Sequence, residues 1–133
     1  MAKKTIVTSG KRKRAIARAT LTAGTGTIKI NNLLLNYYGT PIARQRILEP
    51  LLLAGADAEK VDIRVRVSGG GQTGQADAVR LAIGRALAEH KPSLKSVLLD
   101  YDRQLLVADV RRKEVRKPNS HGKARAKRQK SYR

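Results

Sequence analysis

The chain contains no cysteine, no tryptophan and no phenylalanine, and its 133 residues include only two histidines. Without cysteine, neither a disulfide framework nor a thiolate metal site can form. Because His90 and His121 are the only imidazoles, we expect no zinc site. The longest aliphatic runs, such as residues 51–54, are far shorter than the roughly 20 residues that span a bilayer, and the first ten residues lack the apolar middle of a signal peptide. These absences predict a soluble intracellular protein that holds no metal.

Acidic residues are also scarce, because 29 lysines and arginines face only 10 acids and give a formal net charge of +19. Residues 1–48 carry a net charge of +10, residues 49–109 carry −1, and residues 110–133 carry +10. Positive charge concentrated at both ends of a chain is most easily tolerated when phosphates neutralise it. Nucleic acid is therefore the leading class of partner. The alternative, a merely solvated basic face, suits a smaller excess of charge than this one.

The basic end of the chain, residues 111–133, reads RRKEVRKPNSHGKARAKRQKSYR and has eleven cations against one acid. After Val115 its only apolar side chains are two alanines and Tyr132. Such a segment cannot bury enough surface to offset the roughly 1–2 kcal/mol per residue that ordering a backbone costs. We therefore expect residues 1–109 to form one domain with a basic N-terminal segment, and residues 110–133 to form an extended tail that binds a polyanion.

Alternation of apolar and polar side chains indicates the strands. The clearest is VDIRVRV at residues 61–67, which directs Arg64 and Arg66 to an outward, cationic face. Cations at positions 11–14 make a poor strand but a good phosphate clamp. The remaining predicted strands are residues 5–9, residues 15–22 and 27–30 joined as a hairpin, a short strand at 33–35, and a last strand at 105–108.

Helix signals occupy the segments between these strands. Thr40 and Pro41 begin a helix that Pro50 kinks or divides into two and that Gly55 ends. An amphipathic helix is predicted over residues 75–90, followed by a short helix from Ser93 to Leu99 that Ser93 caps. The inward positions of the long helix are Ala76, Val79, Ile83, Ala86 and Leu87. Together the elements predict an α+β domain in which one sheet packs on two main helices.

A glycine loop, SGGGQTGQ at residues 68–75, follows a predicted strand and opens a helix. Gly69, Gly71 and Gly74 fit the pattern G-x-G-x-x-G, which in dinucleotide-binding domains brings the backbone to a pyrophosphate. Here no β-α-β unit opens the motif, the chain is short, and no acid follows about 20 residues on. Two interpretations stay open: glycines required by a tight turn, and backbone contact with a nucleic-acid phosphate through Gly69, Gly70 and Gly71.

No group of residues predicts catalysis. His90 ends a helix and His121 lies in the basic tail, so neither is placed beside a nucleophile. Asp100 and Asp102 flank Tyr101, and we interpret them as solvated capping groups rather than as an acid–base pair. We therefore expect no enzyme activity, no cofactor and no small-molecule substrate.

Several stretches together resemble one family, the small ribosomal subunit protein S-nine family in its archaeal and eukaryotic form. They read GKRKRAIARATL, VSGGGQTGQADAVRLAIGRALAEH, LLVADVRRKEVRKP and KRQKSYR, and they cover nearly the whole chain from Gly10. The resemblance implies a ribosomal S5 domain-two-like fold, with a four-stranded sheet on two helices and a left-handed crossover. It also implies a structural protein of the subunit head in the cytoplasmic ribosome, bound to ribosomal RNA and to neighbouring head proteins. Its tail would reach tRNA in the peptidyl site.

The same resemblance implies a role for individual cations. The expected contacts with peptidyl-site tRNA are Arg128, Lys130 and Arg133. The expected contacts with ribosomal RNA are Lys11, Arg12, Lys13, Arg14, Arg18, Arg111, Arg112, Lys113, Arg116, Lys117, Lys123, Arg125 and Lys127.

Two rival classes remain: an architectural protein that compacts DNA, and a nucleotide-binding enzyme that uses the glycine loop. Architectural proteins often insert apolar wedges between bases, whereas Tyr132 is the only aromatic residue in either basic end. A tyrosine in that position could instead stack on a base or ribose.

Overall fold

The structure, a computed structural model, describes residues 5–108 together with residues 110 and 118. Within this part of the chain, five strands and three α-helices form an α+β domain. Short 3-10 turns lie at Leu35–Tyr37, Gly55–Lys60 and Arg103–Leu105. The strands are β1 (Ile6–Arg12), β2 (Ala15–Ala23), β3 (Ile28–Ile30), β4 (Leu33–Leu34) and β5 (Val61–Ser68), and the helices are α1 (Pro41–Ala54), α2 (Gln72–His90) and α3 (Ser93–Tyr101).

The strands form one mixed sheet in the order β1-β2-β5-β3-β4. β5 pairs antiparallel with β2 and parallel with β3, so the predicted hairpin of residues 15–22 and 27–30 is wrong. The loop after β2 instead crosses the start of β5. Asp62 Oδ1 accepts hydrogen bonds from the N–H groups of Thr25 and Thr27, each at 3.0 Å, and the Gly24 N–H donates to the Lys60 carbonyl at 3.0 Å.

One face of this sheet carries the core. In β2 the inward positions are the fully buried Ala15, Ala17 and Ala19, whose small side chains let α2 approach closely. The predicted inward positions of α2 are confirmed, because all five are buried. The helix begins at Gln72 rather than at residue 75, so Gly74 is helical. Since α2 packs on β1, β2 and β5, the helices cover one face of the sheet, and among residues 5–108 no helix covers the other, which we call the open face.

Helix α1 begins as predicted. The Thr40 hydroxyl accepts the Ala43 N–H at 3.3 Å, and Pro41 occupies the first turn. Pro50 does not divide the helix, which continues to Ala54 and is capped at Gly55. Its exposed side includes Ile42 and Leu52, which are 72% and 75% exposed, whereas Ala43, Ile47 and Leu51 are buried.

The remaining differences concern the sheet count and the end of the domain. The sheet has five strands rather than four because β4 pairs with β3. The predicted strand at 105–108 is wrong, because Leu105 closes a 3-10 turn and packs against Gly84 of α2. Ser93 lies inside α3 and does not cap it. Asp109 lies outside the described residues, so the division into residues 1–109 and 110–133 stays a prediction, as does the left-handed crossover.

Candidate nucleic-acid interface

A basic turn joins β1 to β2. The strands pair as far as Arg12 and Ala15, so Lys13 and Arg14 form a two-residue connection between them. We call Lys11, Lys13 and Arg14 the basic turn. All three are exposed, and none has a hydrogen bond or ion pair with a residue in the described part of the chain. Residues 11–14 were predicted to make a poor strand, but β1 extends through Lys11 and Arg12. Both fit in the strand because the Lys11 side chain reaches solvent and the Arg12 side chain pairs with Asp77.

The backbone of Lys13 has a φ of 56°. This left-handed conformation is costly for a lysine, and glycine or asparagine occupies it more easily. Non-glycine residues held in such conformations cluster at binding and catalytic sites, where the side chain matters more than the strain. The turn therefore keeps a lysine at a position whose backbone geometry favours glycine or asparagine.

Arg12 differs from its neighbours because it faces α2. Its Nε lies 3.7 Å from Asp77 Oδ2, and Asp77 Oδ1 also accepts a hydrogen bond from Arg46 Nε at 2.8 Å. The Arg12 side chain is 23% exposed. Among the four predicted cations at 11–14, this one therefore anchors the strand to the helix, whereas the other three point to solvent.

The glycine loop lies directly against the basic turn. Gly69 and Gly70 have φ values of 79° and 66°, and a Cβ added to Gly69 would lie 2.5 Å from the Arg14 carbonyl oxygen. A Cβ on Gly70 would lie 3.1 Å from the Ala15 nitrogen. Both glycines are thus required by the backbone. Gly71 is not, since its φ is −99° and nothing lies within 4 Å of its Cβ position.

This loop does not belong to a dinucleotide-binding unit in the described residues. After α2 the chain enters α3 and a 3-10 turn, and no parallel strand follows to complete a β-α-β crossover. Gly69 and Gly70 therefore serve the turn between β5 and α2, and Gly69, Gly70 and Gly71 are three exposed backbone positions beside the basic turn.

The open face of the sheet carries further cations. Arg18 of β2 lies opposite Arg66 of β5, and Arg64 of β5 lies beside Lys29 of β3. Of these four, only Arg18 was expected to contact ribosomal RNA, although Arg64 and Arg66 were predicted to face outward. The signal for Arg64 and Arg66 was the alternation of VDIRVRV, but Lys29 stands in a three-residue strand that carries too little pattern to show its face.

A buried arginine organises the acids of the helical layer. Arg80 is 4% exposed, and it donates to Glu49 Oε2 through Nε at 2.9 Å and to Asp102 Oδ2 at 3.0 Å. Burial disfavours ionisation of Asp102, but the Gln104 N–H and the Arg80 guanidinium outweigh it and lower the pKa of this carboxyl below its usual value. Asp102 caps the turn at Gln104 as expected, but it is ion-paired rather than only solvated.

This network borders a cavity of about 250 Å³ whose lining includes Arg12, Arg46, Asp77, Arg80 and Asp102. Each of these charged groups has an opposite charge within ion-pair distance. The arrangement therefore stabilises the packing of α1, α2 and the turn after α3, and it leaves no group poised for acid–base chemistry. In the described residues, no group of His, Asp and Glu is placed to hold a metal ion, and no helix could cross a membrane.

The predicted tail contacts fall outside the described residues. This applies to the expected tRNA contacts Arg128, Lys130 and Arg133, to Tyr132 and His121, and to the remaining ribosomal RNA contacts Arg111, Arg112, Lys113, Arg116, Lys117, Lys123, Arg125 and Lys127.

The fold and the distribution of charge define a small, basic α+β protein with a group of exposed cations on the open sheet face and the adjoining turn. Comparison with known proteins identifies the group. Residues 10–133 match the family model described as "Ribosomal protein S9/S16", and the chain belongs to this family. The predicted resemblance is therefore confirmed. The family is structural and non-enzymatic, so the prediction that the chain is not an enzyme is also confirmed.

Two archaeal relatives are similar over nearly their full length. The small ribosomal subunit protein uS9 of Picrophilus torridus is 48% identical over 130 residues, covering 96% of this chain and 97% of the relative. The protein of the same name from Methanococcus vannielii is 47% identical over 133 residues, covering 98% and 99%. The similarity thus includes the basic C-terminal segment as well as the folded domain.

Proposed function

We propose that the protein is a structural constituent of the small ribosomal subunit in the cytoplasm. It binds ribosomal RNA in the subunit head, beside neighbouring head proteins, and its C-terminal tail contacts tRNA in the peptidyl site. The observation that carries RNA binding is the basic turn: three exposed cations without a protein partner in the described residues, one of them held in a left-handed conformation.

The basic turn acts by placing charge. Cations that contact phosphates fix the position of a protein on RNA without reading its sequence. Arg12 is bound to Asp77 and so holds the end of β1 against α2, which sets the position of the turn. Because the glycine loop lies against the Arg14 carbonyl, Gly69, Gly70 and Gly71 present backbone groups to the same RNA strand.

The tail extends this binding to a second RNA. Its proposed ribosomal RNA contacts, from Arg111 to Lys127, precede the proposed tRNA contacts Arg128, Lys130 and Arg133. The sixteen residues from Pro118 to Arg133 can span on the order of 50 Å when extended, which is enough to leave the domain and reach a separate site. The match of the family model through residue 133 supports a role for the very end of the chain.

Deleting Lys130–Arg133 is expected to leave subunit assembly intact and to speed dissociation of tRNA from the peptidyl site several-fold. The reason is that the deletion removes two cations from the proposed tRNA contact and none from the folded domain. The measurements are sucrose-gradient sedimentation of the tagged protein and tRNA release from purified mutant subunits. Replacing Ser131 by alanine, which keeps both cations and Tyr132, is the control. Unchanged release would contradict the tRNA contact, and sedimentation with chromosomal DNA would contradict the whole proposal.

Gly71 distinguishes a tight turn from an RNA contact. Gly71→Ala is expected to change the free energy of unfolding by less than about 0.5 kcal/mol, because its backbone conformation is open to any residue and its Cβ position is empty. Gly69→Ala is expected to cost about 1–3 kcal/mol through backbone strain. If RNA approaches the loop, Gly71→Ala weakens RNA binding without weakening the fold. Wild-type affinity in a filter-binding assay would assign these glycines to the turn alone.

A further inference from the structure

The open face of the sheet forms an ordered array of cations. Side chains on it follow the strand register: Ser9, Arg18 and Arg66 form one row, and Val7, Thr20, Arg64 and Lys29 form the next. Neighbouring strands lie about 4.8 Å apart, and alternate residues of one strand lie about 7 Å apart. Four cations therefore fall within two adjacent rows across three strands. We call Arg18, Lys29, Arg64 and Arg66 the sheet-face cluster.

No acid neutralises this cluster within the described residues. None of its four side chains makes a hydrogen bond or ion pair there. Asp62, the one carboxylate on this face of the described strands, accepts hydrogen bonds from the Thr25 and Thr27 N–H groups. Like charges directly opposite each other in a sheet are destabilising, so the pairing of Arg18 with Arg66 works against the fold until an anion lies between them.

The chemistry of the face favours phosphate over other ligands. The exposed residues of β1, β2 and β5 on this face include no aromatic ring on which a base could stack. Arginine presents a planar fork that binds phosphate oxygens in bidentate fashion, and three of the four cations are arginines. Ser9 and Thr20 supply hydroxyl donors in the same rows.

The cluster is also continuous with the basic turn. Lys11 faces outward from β1 in the row next to Arg18, opposite Ile16 of β2. A nucleic-acid strand bound at the basic turn can therefore pass over Lys11 onto the sheet and stay on a positively charged surface. Because the two surfaces are continuous, we expect one ligand to bind both, namely the ribosomal RNA proposed for the basic turn.

We propose that the open sheet face is a second RNA-binding surface of the folded domain, where the sheet-face cluster grips the phosphate backbone of ribosomal RNA. The inference rests on the proposed ribosomal function and extends it. It adds Lys29, Arg64 and Arg66 to the RNA-binding residues and gives Arg18 its partner, Arg66.

The test is the double variant Arg18→Thr, Arg66→Thr. Threonine suits an exposed strand position, so the variant keeps the fold. Its affinity for a transcript of small-subunit ribosomal RNA is measured by filter binding across a range of KCl concentrations. The matched control is Lys95→Gln, Arg103→Gln, which removes the same charge from exposed residues of the helical layer. A protein-only readout is the melting temperature of both variants at low ionic strength without RNA.

The proposal predicts about a tenfold or greater loss of RNA affinity and a fall in the log–log salt slope of about 0.7–0.9 for each contact removed, with the control unchanged. It also predicts a higher melting temperature for the double variant, because the Arg18–Arg66 repulsion is gone. An RNA affinity equal to that of the control would overturn the sheet-face proposal while leaving the proposed function intact. Wild-type protein that binds no ribosomal RNA would overturn both.

Discussion

Replacing Gly10 by valine is expected to lower the free energy of unfolding by about 3 kcal/mol or more. Gly10 is buried where β1 crosses α2, and a Cβ there would lie 2.7 Å from the Ala82 nitrogen and closer still to the Ala78 carbonyl oxygen. Both neighbours are helix backbone, which cannot rotate away as a side chain can. The added atoms would push α2 off the sheet, and overpacking of this kind is costly.

A hydrogen bond also joins β1 to α2 two residues before Gly10. The Thr8 hydroxyl donates a hydrogen bond to the Ala82 carbonyl at 2.8 Å, so β1 and α2 are joined at the turn of helix that the new side chain would displace. A domain of this size has a total stability of roughly 5–15 kcal/mol. The loss is therefore large enough to leave a substantial unfolded fraction at moderate temperature.

Urea unfolding followed by circular dichroism measures this effect. Ser9→Val is the matched control, because it adds a β-branched side chain to the next residue of the same strand, on the open face. We expect the control to lie within about 0.5 kcal/mol of the wild type and Gly10→Ala to lie between the two. A valine variant as stable as the control would show that β1 and α2 are not in close contact at this position.

Sequence patterns predicted the individual elements of the domain better than their pairing. Alternation identified β2 and β5 because each has one buried and one solvated face. It could not show that β5 lies between β2 and β3, because that order depends on bonds such as those from Thr25 and Thr27 to Asp62, across more than thirty positions. At 105–108, the run of apolar residues resembled a strand, whereas only Leu105 is buried, against the helix surface that Gly84 leaves open.

In the candidate site, too, the sequence predicted which residues matter better than it predicted their arrangement. The charge of residues 11–14 was evident in the sequence, but the separate role of Arg12 depends on Asp77, which lies far along the chain in α2. The residue types of the turn do not predict the left-handed backbone conformation of Lys13. Likewise, the opposition of Arg18 and Arg66 follows from the strand register, which no local pattern fixes.

Neutralising the basic turn is expected to weaken RNA binding on the order of 100-fold at about 0.15 M salt. The variant is Lys11→Ser, Lys13→Asn, Arg14→Ser, and it leaves Arg12 and its ion pair with Asp77 in place. Each phosphate contact contributes about 0.7–0.9 to the log–log salt slope through counterion release. Three lost contacts therefore lower that slope by roughly 2–2.7 units. Because the logarithm of the affinity varies linearly with the logarithm of the salt concentration, this change of slope gives a loss on the order of 100-fold at about 0.15 M salt.

The choice of asparagine at position 13 separates charge from backbone strain. Asparagine tolerates the left-handed conformation, so the φ of 56° no longer costs stability and the fold should be at least as stable as the wild type. The matched control removes three exposed cations that belong neither to the basic turn nor to the sheet-face cluster, at Lys60, Lys95 and Arg103. Lys60 precedes β5 at the end of the sheet opposite the turn, since Val61 pairs with Ala23 and Ser68 with Ile16.

Filter binding to a ribosomal RNA transcript across a salt series gives both quantities from one experiment, and thermal melting verifies the fold. A variant that melts like the wild type yet binds with an unchanged slope would mean that the basic turn is only solvated. Equal losses in the variant and its control would mean that RNA responds to net charge alone. A loss confined to the basic turn would show that the position of these cations matters, because the two proteins carry the same total charge.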